Sequence, residues 1–274
     1  MFNNQVVWIT GASSGIGEAL ALEFAAEGAR LILSARGEDS LRLVKAKCDA
    51  VSGRDNSLVL PMDITDEASL ADKVELAKAW GGRIDMLINN AGITQRSSCL
   101  NTNMETYRTI FEVDVFGQIA LTKAVLPSMI EQGSGHLVVT SSISGKVGVP
   151  FRTGYCAAKH AMMGFFDALR TEVDHQNIKV TTITPGYIRT PISSNALSGD
   201  GSAYGREDTE IRGGMDVSEC AKVIVKGFKS RKPEISVGKG FEMNALWLKR
   251  YFPNSLLKIA ARQYAKMAKN NDLS

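Results

Sequence analysis

The sequence predicts one domain built as a doubly wound α/β sheet, with about seven parallel strands and helices on both faces. Three observations predict it. Short apolar runs recur seven times along the 274 residues. They are continuous rather than alternating, as strands covered on both faces require. Helical patterns separate them at a spacing that suits right-handed crossovers.

In chain order, QVVWIT at 5–10 is the first strand and a helix follows over 15–28. RLILSA at 30–35 leads to a helix over 38–52, and SLVLP at 57–61 to one over 66–80. Asp66, just before Ser69 and Leu70, is the expected N-cap of that helix. IDMLIN at 84–89 precedes a long helix over 103–131, and GHLVVTS at 135–141 precedes one over 154–175. KVTTIT at 179–184 is followed by a stretch rich in Ser, Gly and Asp, about 191–215, whose lack of periodicity marks a substrate loop. A helix over 216–230 and EISV at 234–237 complete a domain spanning 1–240. Residues 241–274 form an extension.

Composition narrows the function. Charge totals +3, too small a surplus to indicate a nucleic-acid partner. The three histidines fall in no H-x-x-x-H pattern and the four cysteines in no C-x-x-C, so no metal site is expected. Scattered cysteines, no apolar run long enough to span a membrane and no signal-peptide pattern lead to a cytoplasmic expectation. From Lys222 onward there are 12 Lys and Arg against 3 Asp and Glu, so the rest of the chain is net acidic.

The first strand ends in TGASSGIG, Thr10 to Gly17, between a strand and a helix. Glycines there permit a tight turn and close approach of backbone N–H groups to a pyrophosphate at a helix N-terminus. The second strand ends at Ser34-Ala35-Arg36. No acid stands there to hold ribose hydroxyls, whereas Arg36 suits a 2′-phosphate, so NADP(H) is the expected cofactor. One further pair has chemical meaning: Tyr155 and Lys159 in YCAAK share one helix face. An ammonium beside a phenol favours the oxyanion and so turns a poor acid/base into a useful one.

TGASSGIG, NNAG (89–92), Ser142, YCAAK and PGYIRT (185–190) occur in the order and spacing of the short-chain dehydrogenase/reductase family, which residues 4–237 resemble. YCAAKHAMMGFFDALRTEV and SSNALSGDGSAYG resemble more narrowly the 11β-hydroxysteroid dehydrogenase and dehydrogenase/reductase member 7 branch. The resemblance implies a Rossmann-type fold and hydride exchange between a cofactor and a carbonyl or alcohol substrate. It implies Tyr155 as acid/base, Lys159 as the ribose-binding cation and Ser142 as the donor to the substrate oxygen. Gly11, Ser13, Ser14, Gly15, Ile16 and Gly17 would cradle the pyrophosphate. Asp63 and Ile64 would hold the adenine, and Asn90, Ala91 and Gly92 would border the adenosine. Pro185, Gly186, Ile188 and Thr190 would meet the nicotinamide. The resemblance also implies a homodimer or homotetramer, with the helices at 103–131 and 154–175 pairing across a two-fold axis.

The chain departs from the family in one place. Asp114, in FEVDVFGQ, stands where the family has a catalytic Asn that bends a helix and supports a water relay. An ionised carboxylate accepts but cannot donate. That keeps a second function open: a dinucleotide-binding sensor or scaffold with little turnover.

The extension alternates Leu246, Trp247, Tyr251, Phe252, Leu256, Leu257 and Ile259 with Lys249, Arg250, Lys258, Arg262, Lys266 and Lys269. Pro253 is expected to split it into two helices. Two roles fit: weak peripheral contact with a membrane through 241–269, or an arm covering the substrate cleft. Both imply a lipophilic substrate.

Overall fold

Strands covered on both faces need apolar side chains pointing both ways, and the seven runs supply them. The computed structural model describes residues 2–269. The strands are β1 (Val6–Thr10), β2 (Arg30–Ser34), β3 (Ser57–Val59), β4 (Met86–Asn89), β5 (Gly135–Thr140), β6 (Ile178–Pro185) and β7 (Glu234–Val237). They form one sheet in the order β3-β2-β1-β4-β5-β6-β7, every neighbouring pair parallel. The order steps outward from β1 in one direction and from β4 in the other, which opens a crevice at the carboxyl ends of these two strands.

The helices are α1 (Gly15–Ala26), α2 (Glu38–Ser52), α3 (Leu70–Gly81), α4 (Met104–Phe111), α5 (Gly117–Glu131), α6 (Thr153–Val173), α7 (Thr209–Arg212), α8 (Val217–Lys229), α9 (Phe241–Tyr251) and α10 (Pro253–Lys269). Val7 and Ile9 of β1 join a core with residues of α1, α2 and α8. Val6 and Trp8 point the other way, into a core with α3, α5 and α6. Trp8 is fully buried, and its indole N–H is satisfied by donating to Ser34 Oγ at 2.9 Å.

Three local expectations differ from what forms. The helix expected over 66–80 begins as a 3₁₀ turn, Glu67–Ser69, and Asp66 makes no side-chain cap there. The helix expected over 103–131 is interrupted by a π-helical turn, Glu112–Phe116. The wider turn re-aims side chains midway along the helix, a change that a regular apolar repeat does not reveal. This whole stretch, Met104–Glu131, has the length and apolarity of a membrane span, yet half of its most apolar window is buried against the fold. Its apolarity is that of a helix covering a sheet.

The loop at 191–215 is more ordered than its composition suggests. Leu197 bridges Gln95 and Ala203, Ile188 bridges Met215, and Ser193, Ala196 and Ile211 are buried. At the C-terminus, Pro253 separates α9 from α10 as expected, sitting at the first position of α10. Of the extension 241–274, residues 270–274 lie outside the described residues.

Candidate active site

The carboxyl ends of β1, β2, β4, β5 and β6 open into one cleft of about 800 Å³. Its wall includes Gly11, Ser13, Ser14, Gly15, Ile16, Arg36, Asp63, Ile64, Asn90, Ala91, Gly92, Ser142, Tyr155, Lys159, Pro185, Gly186, Ile188 and Thr190. Among the residues expected at the site, only Gly17 and Asp114 do not line it.

Gly17 stands behind the glycine loop. A Cβ there would fall 2.2 Å from the Gly11 carbonyl oxygen, so the turn can be this tight only with glycine. Ala12 N–H donates to Ser34 O at 3.1 Å and ties the loop to β2. Ser14 occupies the N-cap of α1 in extended conformation without a side-chain cap bond, leaving first-turn N–H groups available to an anion. At the end of β2, Arg36 is exposed and makes no ion pair among the described residues. Asp63 lies near it. The Thr65 backbone N–H, donating at 3.0 Å, is the main cause holding the Asp63 carboxyl below its ordinary range, and Arg36 adds to it. Asn90 and Ala91 N–H groups both donate to Thr10 Oγ1, at 2.9 and 3.0 Å, which locks the end of β4 to β1.

On the opposite wall, Ser141 and Ser142 follow β5. Their roles separate by bonding. Ser141 Oγ donates to Lys159 O at 3.1 Å and so fastens α6. Ser142 Oγ accepts from Ser144 N–H at 3.0 Å, capping a 3₁₀ turn, which leaves its own hydrogen free to donate. Tyr155 is almost fully buried in the first turn of α6, and Lys159 Nζ lies 5.6 Å from the centre of its ring.

Sequence reasoning missed what aims Tyr155. Gln95 is fully buried, and its Oε1 accepts from Gly154 N–H at 2.8 Å and Tyr155 N–H at 3.3 Å. These are orphan donors of the helix start, so Gln95 caps α6 from a loop 60 residues earlier. It also missed Arg96, Arg152 and Tyr187, which share the cleft wall with Tyr155. No local spacing signals Arg96 or Arg152, and Tyr187 stands inside PGYIRT.

Asp114 is fully buried on the π-helical turn, behind the cleft rather than in it. It accepts from Ile93 N–H at 2.7 Å and pairs with Lys159 Nζ at 3.2 Å. Lys159 Nζ also donates to Thr140 O at 3.1 Å. Gly92 permits the close pair: a Cβ on it would meet Lys159 Nζ at 3.2 Å and Asp114 Oδ1 at 3.3 Å. Burial pushes the Asp114 carboxyl up, against the pull of Lys159 and the Ile93 N–H. Burial pulls Lys159 down, but Asp114 and Tyr155 outweigh it and the net direction is up. The two directions pull oppositely on the pair. The short separation and the Ile93 bond favour the ionised form, a lysine held charged by a carboxylate.

A family model described as short chain dehydrogenase matches residues 5–200. A dehydrogenase/reductase SDR family protein 7-like protein of Anopheles gambiae is 40% identical, covering 97% of this chain and 84% of its own. Dehydrogenase/reductase SDR family member 7B of Danio rerio is 38% identical, over 96% and 86%. Among solved structures, levodione reductase is similar with a TM-score of 0.77 and 26% identity, covering 89% of this chain and 99% of that one. A short chain dehydrogenase/reductase from Burkholderia phymatum in complex with NAD has a TM-score of 0.81 at 20% identity, over 94% and 95%, and so shares the fold.

Proposed function

The chain belongs to the short-chain dehydrogenase/reductase family, in the branch of the member 7 proteins, and on that premise we propose that it is an NADP(H)-dependent enzyme interconverting a ketone or aldehyde and an alcohol. The observation that carries this reading is the meeting of Ser142, Tyr155 and Lys159 on the wall of the cleft that the glycine loop floors. The residues present fit a dinucleotide: first-turn N–H groups of α1 are uncapped by side chains, and Arg36 is exposed with no ion pair among the described residues. When bound, the nicotinamide donates or accepts the hydride.

The chain's own residues do the rest. Ser142 donates to the carbonyl oxygen and steadies its developing charge. Tyr155 gives that oxygen its proton in reduction and takes it back in oxidation. Lys159, held by Asp114 and Thr140, offers its remaining donor toward a ribose and its charge toward the phenol. Asp114 thus acts on the chemistry through Lys159 rather than by touching substrate. Consumption of NADPH with a panel of ketones tests the reading. Cofactor binding with no turnover of any ketone would replace it by the sensor or scaffold reading, which the pairing of Lys159 with Asp114, opposing its charge beside Tyr155, favours.

The cofactor preference follows from charge. A charge-assisted bond from Arg36 to a 2′-phosphate is worth about 1.5–3 kcal/mol. NADPH is therefore expected to raise the melting temperature more than NADH at equal concentration, and Arg36→Ala to shrink the difference. Equal shifts in the native chain would sink the NADP(H) assignment.

A homodimer or homotetramer belongs to the same proposal. Its support is the apolar face of the long helix, where Met104 and Phe116 are exposed beside Tyr107 and Phe111. Light scattering at micromolar concentration is expected to show at least a dimer, and a monomer contradicts it.

The extension supports both roles expected of it. Glu242 Oε1 accepts from Tyr187 N–H at 3.4 Å, and Tyr264 stacks on Phe151 at 5.2 Å, contacts beside the cleft that support an arm over its rim. Trp247, Tyr251 and Phe252 cluster and remain exposed among Lys249, Arg250 and Lys258. Each basic residue near an anionic surface contributes roughly 1 kcal/mol. Salt-sensitive co-sedimentation with phosphatidylserine vesicles is expected, and no binding at low salt would leave only the covering arm. A lipophilic substrate and a cytoplasmic setting, peripheral at a membrane, complete this reading.

A further inference from the structure

Two arginines sit in the cleft where hydride chemistry has no use for them. Arg96, in the loop after β4, and Arg152, at the start of α6, line the same wall as Tyr155. Their side chains are only 8% and 13% exposed, and they share one carboxylate, Asp208. Every contact converges on its Oδ2: Arg96 Nε donates at 2.8 Å, Arg96 Nη2 donates as well, and Arg152 Nη2 donates at 2.8 Å. Asp208 does not itself line the cleft.

The two arginines differ in what they have left. Arg96 Nη1 donates to Thr94 Oγ1 at 3.0 Å and Gln95 O at 2.7 Å, so each of its nitrogens has a protein partner. Arg152 keeps Nε and Nη1 without a partner among the described residues, its guanidinium 5.9 Å from the Tyr187 ring. Two largely buried cations on one carboxylate are undercompensated, and charged donors left unmet with so little access to water are costly. The strain shows on Arg96, which burial first and Arg152 second hold below the usual arginine range. Glu210 and Glu242 act on Tyr187 nearby, but neither lines the cleft. Val149, Ile192, Leu197 and Ile211 supply an apolar stretch of the same wall.

We propose that Arg152 sets substrate choice: its free Nε and Nη1 donors bind an anionic substituent, a carboxylate or a phosphate, on a carbonyl substrate whose apolar part lies along Val149, Ile192 and Leu197. The inference rests on the reading of this cleft as a carbonyl/alcohol site. Arg96 and Asp208 are positioning residues. They hold Arg152 beside the start of α6, and with it they tie the substrate loop to the catalytic wall.

Calorimetric titration of the full chain saturated with NADP⁺ tests this without turnover, because a ketone cannot be reduced by the oxidised cofactor. The probes are 4-acetylbenzoate, 4-acetylphenyl phosphate and methyl 4-acetylbenzoate. At least one anion is expected to bind about tenfold or more tightly than the ester, the gain of one charge-assisted contact. Whichever anion binds better identifies the substituent. Arg152→Gln is expected to bring the ratio of anion to ester affinity close to one, and Arg152→Lys to keep part of it. Equal affinities in the native chain, a preference that survives Arg152→Gln, or an equal loss on all three ligands would overturn the proposal, the last by showing a loop latch only. An anion preference without NADPH turnover on any ketone would fail the functional reading and leave this binding site standing.

Discussion

Tyr155→Phe is expected to lower ketone turnover by about a hundred- to ten-thousandfold, the usual contribution of a positioned general acid. The substitution removes one hydroxyl and nothing else of the site's frame. The ring that remains is the part packed into α6, where Tyr155 is 9% exposed. Gln95 still accepts from the N–H groups of residues 154 and 155, because those bonds come from the backbone. Lys159 keeps its bonds to Thr140 and Asp114. The melting temperature and its increase on adding NADPH are therefore expected to stay near their native values. Activity close to native in the variant would remove Tyr155 from the chemistry. Loss of the cofactor-dependent stabilisation along with activity would instead assign the residue to binding.

Lys159→Met is expected to cost about 3–5 kcal/mol of folding stability at neutral pH or above, beyond any loss of activity. The reason is not the missing lysine but the carboxylate it leaves. Asp114 has no solvent exposure, and its one remaining partner is the Ile93 N–H. Burial already pushes this carboxyl upward, and Lys159 is the largest influence opposing it. Without the lysine its folded-state pKa rises further above the unfolded value. The folded chain then binds more protons than the unfolded chain between those two values, so stability falls as pH rises through that window. The deficit is thus expected to be largest at alkaline pH and to shrink on acidification, as the buried carboxyl takes up a proton. Adding Asp114→Asn to Lys159→Met should recover most of the stability and flatten its pH dependence. Denaturation midpoints of the two variants across pH decide it: a deficit independent of pH, or no recovery in the double variant, would mean that the pair is not ionised.

Much of the site was legible in the chain because its parts are local. TGASSGIG needs only a strand, a turn and a helix in succession, and Tyr155 and Lys159 meet because one helical turn separates them. In the chain only the order and spacing of the family motifs separate Ser142 from Ser141; the bonding of Ser141 to the backbone of Lys159 gives the physical distinction between the two neighbours. Asp114 stands out in the chain as a departure from the family, but its meaning is not legible there. A carboxylate in a relay and a carboxylate clamping a lysine look alike in one dimension. The π-helical turn that aims it leaves the apolar repeat of its helix almost unchanged.

By itself the sequence determined the parallel sheet, the strand and helix order, the glycine loop and the helical face that joins tyrosine to lysine. Each follows from side-chain periodicity or from a few contiguous residues, and the backbone reads such patterns directly. Only the tertiary structure decided that Gln95 caps the helix carrying Tyr155, that Asp114 neutralises Lys159, and that Asp208 gathers Arg96 from 112 residues away and Arg152 from 56. These contacts join polar groups whose partners are chosen by burial. Once the sheet and helices exclude water, a buried donor or charge must find whatever acceptor the fold brings within reach, and no local pattern records which one that is.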